Sequence, residues 1–303
     1  MRSQHPGISF PYKTAFIVNP AAGGGNAGKI WCQIEEIMRR SGLACAVYKS
    51  GSRGEARDFA LQAVRQGYEL VVAVGGDGTV NEVVNGIDLE RTTLGIIPLG
   101  TGNGFRRACG IPGGWRESLM GLSSWLPRSV DVGTVNGRRF VNVVGIGFDA
   151  AVAEMAAEKY GRMKGYLPYV AAFFEKLVQF GHFAVSIKCD EQTIEENETL
   201  LVAIANGSNY GGRVSIAPQA KIDDGKLDVI MVRKGNNSET TYLAAKVLLK
   251  RHLDDGSIIT SRGRQLEVFA DHPVPVHTDG EVTGNLPIKI SMEATPLKIL
   301  APE

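Results

Sequence analysis

The chain has 303 residues, 44% of them apolar and 21% charged, which allows one large domain or two medium ones, each with a core of its own. A formal net charge of +1 excludes the strongly basic imprint of wholesale nucleic-acid binding, so no nucleic-acid partner is expected. No apolar run approaches the ~20 residues of a membrane span, and no N-terminal stretch joins basic residues to an apolar run and a cleavage site. The expected location is cytoplasmic. Cys32, Cys45, Cys109 and Cys189 form no C-x-x-C pair and read as reduced thiols filling core space.

From residue 14 to 98 short apolar runs alternate with segments of helical period. TAFIV is followed by a helix near 29–41, ACAVYKS, a helix near 54–66, LVVAVG, a helix near 81–87, and LGIIP. Short β-branched strands separated by helices predict a parallel sheet covered on both faces. Ligands in such sheets bind beyond the carboxyl ends of the strands. NPAAGGG, GGDGT and PLGTGN all fall there.

The first of these loops belongs to VNPAAGGGNAGKI at 18–30 and fits G-x-x-x-x-G-K. Ile30 stands where a P-loop needs the hydroxyl that binds Mg²⁺, so Lys29 reads as an ordinary first-turn helix residue. Asn19 and the glycines read instead as one wall of a nucleotide cleft. The strongest signal is VVAVGGDGTVNEVVNG at 71–86. Gly75, Gly76 and Gly78 let main-chain N–H groups approach an anion, and the helix that follows adds the positive end of its dipole. Asp77 among those glycines would repel a phosphate, so it reads as a metal ligand or a base near the transferred group. The plainer alternative is a tight strand–helix turn in which Asp77 acts like an N-cap. In PLGTGN, Thr101 and Asn103 offer side-chain hydrogen bonds beside Gly100, or merely form a polar turn.

After Pro127 the pattern changes. SVDVGTVNGRRFVNVVGIG predicts a hairpin turning at Asn136-Gly137, followed by a helical stretch near 150–180. FAVSIKC, TLLVAIAN, KLDVIMV, a helix near 239–252, SIITS, QLEVFA, VPVHTDG and IKISME complete it. The fold class expected is an N-terminal three-layer α/β nucleotide-binding domain plus a C-terminal, mainly antiparallel β-sandwich-like domain. The domains are placed at 1–129 and 130–294, with 295–303 (containing PLKIL) returning to the first. His5, His182, His252, His272 and His277 show no metal-ligand pattern, and His272 and His277, flanking prolines, are expected on a turn.

NPAAGG, GGDGTVNE, PLGTGNGF, GIGFDA, APQAKIDDGKLDV and TDGE, in this order, resemble the diacylglycerol kinase catalytic family, which includes bacterial lipid kinases and sphingosine kinases. The resemblance spans roughly residues 14–300. It implies an α/β nucleotide domain followed by a β-rich domain, ATP in the cleft between them, and Mg²⁺-dependent transfer of the γ-phosphate to a lipid hydroxyl. It assigns nucleotide contacts to Asn19, the loop Gly76, Asp77, Gly78, Thr79, Asn81 and Glu82, and Thr101, with Ser50 at a nucleotide-contacting threonine position. Glu281 in TDGE matches the proton acceptor, and Asp131 in VDVG an acid of the site's metal network. Asp224, with the main-chain carbonyls of Lys221 and Lys226, matches a second, structural metal site. Each Asp-Gly pair also reads as a plain hairpin turn. Gly104 replaces an acid that many members carry, which leaves the acceptor lipid open.

A lipid hydroxyl is a weak nucleophile that a carboxylate must orient and deprotonate, and Glu281 is chosen over Asp77 and Asp131 for that role. GYLPYVAAFFEKLVQF at 165–180 and TYLAAKVLLKRH at 241–252 read as core helices or as a surface meeting the inner membrane face. Expected partners are a lipid substrate, the membrane surface and a second copy of the chain. An NAD kinase shares GGDGT but fits PLGTGN and the late TDGE less well. A catalytically silent lipid- or nucleotide-binding regulator has nothing to recommend it while Asp77, Asp131 and Glu281 are all present.

Overall fold

The computed structural model describes residues 9–160, 167–209 and 214–302. His5, Gly165 and Tyr166, which entered the sequence reading, lie outside them. The chain divides into two compact units, Met1–Val130 with Thr295–Glu303, and Asp131–Ala294.

The first unit opens with β1 (Thr14–Val18), α1 (Asn26–Arg40), β2 (Ala46–Lys49), α2 (Glu55–Arg65), β3 (Leu70–Gly75), α3 (Asp77–Gly86) and β4 (Thr93–Pro98). Then come α4 (Gly104–Ala108), α5 (Trp115–Gly121) and β5 (Leu126–Val130). Every residue of β1, β3 and β4 is buried, as expected of parallel strands covered on both faces. In α1 the buried residues Ala27, Trp31, Ile34 and Met38 recur at helical spacing and join the core of Phe16, Val72 and Ile97. α3 starts at Asp77, not near residue 81. The glycines and acid of GGDGT read as loop, but their main chain winds directly into the helix behind β3, so propensity yields to packing.

The second unit contains β6 (Gly133–Val135), β7 (Arg138–Phe140), β8 (Val143–Gly147), α6 (Phe148–Glu158), α7 (Leu167–Gln179), β9 (Phe183–Cys189) and β10 (Gln192–Ala205). β11 (Leu227–Arg233), α8 (Asn237–Leu248), β12 (Ile258–Gly263), β13 (Gln265–Ala270), β14 (Pro275–Thr278), β15 (Glu281–Asn285) and β16 (Ile288–Met292) follow. The strands form one 11-stranded sheet in the order β15-β14-β8-β10-β9-β13-β16-β6-β7, with β11 bridging β10 and β12. Its described pairings are antiparallel. The β6–β7 hairpin turns at Asn136 and Gly137, both at positive φ, as the Asn-Gly pair predicts. Alternate residues such as Val144, Ile146, Val202, Ile204, Val229 and Met231 fill one core on the sheet.

Two expectations are corrected here. His277 lies inside β14 and is buried, because Pro275 begins the strand instead of breaking it. The helix expected near 239–252 ends at Leu248, with His252 buried beyond it, while the helical stretch near 150–180 holds α6 and α7.

β17 (Leu297–Ala301) belongs to the first unit, where it runs parallel to β4 and antiparallel to β5. The first sheet therefore reads β2-β1-β3-β4-β17-β5.

Candidate active site

In the first unit the loops after β1, β3 and β4 meet because those strands are neighbours in the sheet. The main-chain N–H groups of Leu99 and Gly100 donate to Gly75 O at 2.8 and 3.1 Å. A Cβ on Gly100 would stand 2.2 Å from Gly76 Cα, so only glycine lets these two loops touch. Gly23 has φ 60 and a Cβ there would stand 2.5 Å from Leu99 O, which brings the first loop against the third. Asn19 completes the set: its N–H donates to Val74 O at 3.0 Å and its Nδ2 to Thr79 Oγ1 at 3.3 Å. Ser50 is buried, with N–H and Oγ both on Val18 O. Lys29 sits in the first turn of α1, whose N-cap is Gly25.

The acids of this unit have definite partners. Asp77 is half-buried, and its Oδ1 accepts the Phe105 N–H at 3.2 Å, tying the start of α3 to α4. Glu82 accepts the N–H groups of Gly54 and Ala56 at 2.9 and 3.1 Å. That carboxylate caps α2, a use that the sequence reading missed. Asn81 is buried. Asn103 has φ 51 and bonds Gly100 twice, accepting its N–H at 3.2 Å and donating to its O at 2.7 Å. Thr101 is exposed between them. Burial and Arg107 lower the Arg106 guanidinium, against the opposing pull of Asp77.

In the second unit Asp131 and Asp224 meet at one turn. The Asp131 N–H donates to Ile222 O at 2.6 Å, and its Oδ2 accepts the Gly225 N–H at 2.6 Å. Asp131 therefore braces the turn that carries Asp223 and Asp224, which the sequence reading treated as a separate site. Burial raises its carboxyl above the ordinary range, the Gly225 N–H opposes this, and Asp224 and Asp223 push it further up. Asp224 is ion-paired with Arg262 and accepts the Lys226 N–H at 3.1 Å. Lys221 and Lys226 have exposed side chains. Asn206 donates to Asp131 O and Val141 O, both at 2.9 Å, so its Oδ1 is fixed as an acceptor. That oxygen and Asn142 Oδ1 are buried without a donor among the described residues.

Glu281 opens β15 directly after the Asp279-Gly280 turn and is ion-paired with Arg138. Asp279 accepts the N–H groups of Val141, Asn142 and Val143 at 2.9, 2.9 and 3.0 Å. In the sequence Asp279 shows only as half of a favoured Asp-Gly turn pair, because three main-chain donors waiting for an acceptor before a strand are not visible there. The same holds for Asp149, in the first turn of α6, whose Oδ2 lies 3.4 Å from His277 Nε2.

Converging glycine loops at a helix N-terminus suit phosphate, and the carboxylates suit proton and cation chemistry. The class so defined is a kinase, and the comparisons agree. The model of the diacylglycerol kinase catalytic domain matches residues 13–135, and that of the YegS C-terminal NAD kinase beta sandwich-like domain matches 142–301. A diacylglycerol kinase of Bacillus subtilis (strain 168) is 31% identical over 281 residues, covering 91% of each chain. One of Staphylococcus carnosus (strain TM300) is 28% identical over 277 residues, covering 91% of this chain and 90% of its own. A crystal structure of a diacylglycerol kinase from Bacillus anthracis str. Sterne superposes with a TM-score of 0.74 at 25% identity, covering 97% of this chain and 98% of that one. The chain belongs to the diacylglycerol kinase family and is a lipid kinase, with ATP as the phosphate donor that such kinases use.

Proposed function

We propose that this lipid kinase transfers the γ-phosphate of ATP to the hydroxyl of diacylglycerol or a closely related lipid. The observation that carries it is the contact of three glycine loops on neighbouring strands, in a chain aligned along 91% of its length with an enzyme named diacylglycerol kinase. The loops offer main-chain N–H groups and the N-terminus of α3 to the phosphates. Asn19, Ser50, Thr79, Asn81, Thr101 and Asn103 shape the nucleotide site, several of them by fixing the loops. Glu82 acts through its cap on α2. Asp77 works beside the transferred phosphate. Glu281 takes the proton of the lipid hydroxyl and is oriented meanwhile by Arg138.

The residues fit Mg²⁺. Asp77 would hold it near the phosphates. Asp131, Asp224 and the main-chain carbonyls of Lys221 and Lys226 would hold a second ion, whose charge would offset the burial, and after it the neighbouring Asp224 and Asp223, that raise the Asp131 carboxyl. Among the described residues no three carboxylate, imidazole or thiolate side chains converge, so a second ion would rely on carbonyl and amide oxygens, of which Asn206 Oδ1 and Asn142 Oδ1 lack donors. Bound Mg²⁺ supplies charge compensation for the transferred phosphoryl group.

Contact with the inner membrane face is part of the same reading. Among the described residues no helix is long and apolar enough to cross a membrane. Phe174 and Val178 of α7 and Tyr242 and Leu248 of α8 are nonetheless exposed, with Lys250 and Arg251 just beyond α8. A homodimer is proposed as well and is checked by light scattering.

The decisive test is phosphate transfer from labelled ATP to diacylglycerol, sphingosine and NAD in parallel. Labelled lipid is expected, and labelled NAD without labelled lipid would sink the reading. Asp77→Asn is expected to lower kcat by about 10²-fold or more with the fold retained.

A further inference from the structure

The turn that carries Glu281 is held from beneath by two residues that none of the roles above uses. His277, four positions earlier in β14, is 1% exposed. Its Nδ1 accepts the N–H of Gly280, the residue directly before Glu281, at 3.2 Å. A ring nitrogen that accepts a main-chain N–H carries the lone pair, so the proton of the neutral imidazole sits on Nε2. Nε2 faces Asp149 Oδ2 at 3.4 Å, while Asp149 Oδ1 accepts the Ala150 N–H at 2.8 Å. Both turn residues, Asp279 at φ 51 and Gly280 at φ 88, are in the left-handed region that a two-residue hairpin requires. Asp279 is fixed by the N–H groups of 141–143 and Gly280 by the imidazole, so the chain enters Glu281 with its direction set on both sides.

We propose that Asp149 and His277 form a positioning device for Glu281. Asp149 sets the tautomer and ring plane of His277, and the imidazole sets the Gly280 amide and hence the path along which Glu281 leaves the turn. The inference rests on Glu281 being the proton acceptor. His277 touches no reacting atom and is a positioning residue. Burying an imidazole and a carboxylate together costs desolvation that an aliphatic side chain in β14 would avoid, and the bond so maintained ends on the amide beside Glu281.

The two ends of the imidazole can be separated by substitution. In His277→Asn, Oδ1 stands where Nδ1 stood and still accepts from Gly280. In His277→Gln, the amide reaches towards Asp149 and leaves Gly280 without that acceptor. With purified full-length enzyme and diacylglycerol, His277→Asn should keep kcat within about threefold of wild type. His277→Gln should lose about 10- to 100-fold, with KM for ATP unchanged in both. Glu281→Gln is measured beside them. If both histidine variants lose equal activity and equal thermal stability, His277 is only packing and the proposal falls. It falls equally if both match wild type while Glu281→Gln is inactive. Full activity of Glu281→Gln would instead remove the reading of Glu281, and the positioning role with it.

Discussion

At the scale of single residues, the site depends on atoms that are absent. Gly100 would place a Cβ 2.2 Å from Gly76 Cα and 2.8 Å from Asn103 Oδ1, and the first of these is backbone that cannot rotate away. Gly100→Ala should therefore cost about 1–3 kcal/mol and spread the second and third loops apart. A lower melting temperature is expected together with a rise of about tenfold or more in KM for ATP. Gly181→Ala, where a Cβ meets nothing within 4 Å, is the control and should be silent. Residue types of this kind were legible in the sequence: glycine beside glycine at a strand end has few other uses. The partners of the acids were not. Glu82 looks like a nucleotide contact and caps α2, and Asp131 looks like a neighbour of Asp77 in the chemistry yet braces the turn of Asp224. A carboxylate shows its charge in a sequence but not which N–H groups lie within 3 Å of it.

At the scale of elements, period and burial made the strands of the first unit legible, while the ends of helices were set by contacts. β10 shows the limit well. Its second half, TLLVAIA, reads as a buried strand, but QTIEENE reads as loop and is strand because β9 pairs with it in an exposed–intermediate alternation. α8 carries a prediction about pH. Asp255 accepts Lys246 Nζ at 2.6 Å and both the hydroxyl and the N–H of Ser257, at 2.7 and 3.1 Å, which hold its carboxyl at about 2. A folded value below the unfolded one of about 4 stabilises the fold above pH 4, and that contribution fades as pH falls through 2. Asp255→Asn should be less stable than wild type in urea at pH 7, and the gap should narrow at pH 3. A gap independent of pH would contradict the assignment. The exposed apolar side chains of α7 and α8 carry another. Phe174→Glu with Leu248→Glu should weaken sedimentation with anionic vesicles while leaving turnover on detergent-dispersed lipid intact. Unchanged vesicle binding would move the membrane contact to another face.

At the scale of the whole molecule, the chain order conceals how the first unit is completed. PLKIL is expected to return to the first domain, but nothing in its five letters says that it lies between β4 and β5. The matched family segments place residues 142–301 together, whereas contacts assign Thr295–Glu303 to the first unit. The reason is in the partners. β4 has β3 on one side, and its other edge would be an open parallel edge beside buried Ile96 and Ile97 if β17 were missing. Leu297, Ile299 and Leu300 are fully buried, and burying an aliphatic side chain contributes up to about 1.5–3 kcal/mol, so the three together approach the net stability of an ordinary domain. β17 also holds β5 through pairs running from Leu297–Val130 to Ala301–Leu126, so its loss would free β5 as well. A chain ending at Ala294 should therefore fail to bind ATP although Asn19, GGDGT and PLGTGN are all intact in it. Calorimetry with ATP and thermal melting of the truncated chain would check this. Supplying residues 295–303 as a separate peptide should recover part of the nucleotide binding if the strand completes the sheet. Tight ATP binding by the truncated chain without the peptide would show that the loops organise themselves on β1, β3 and β4 alone.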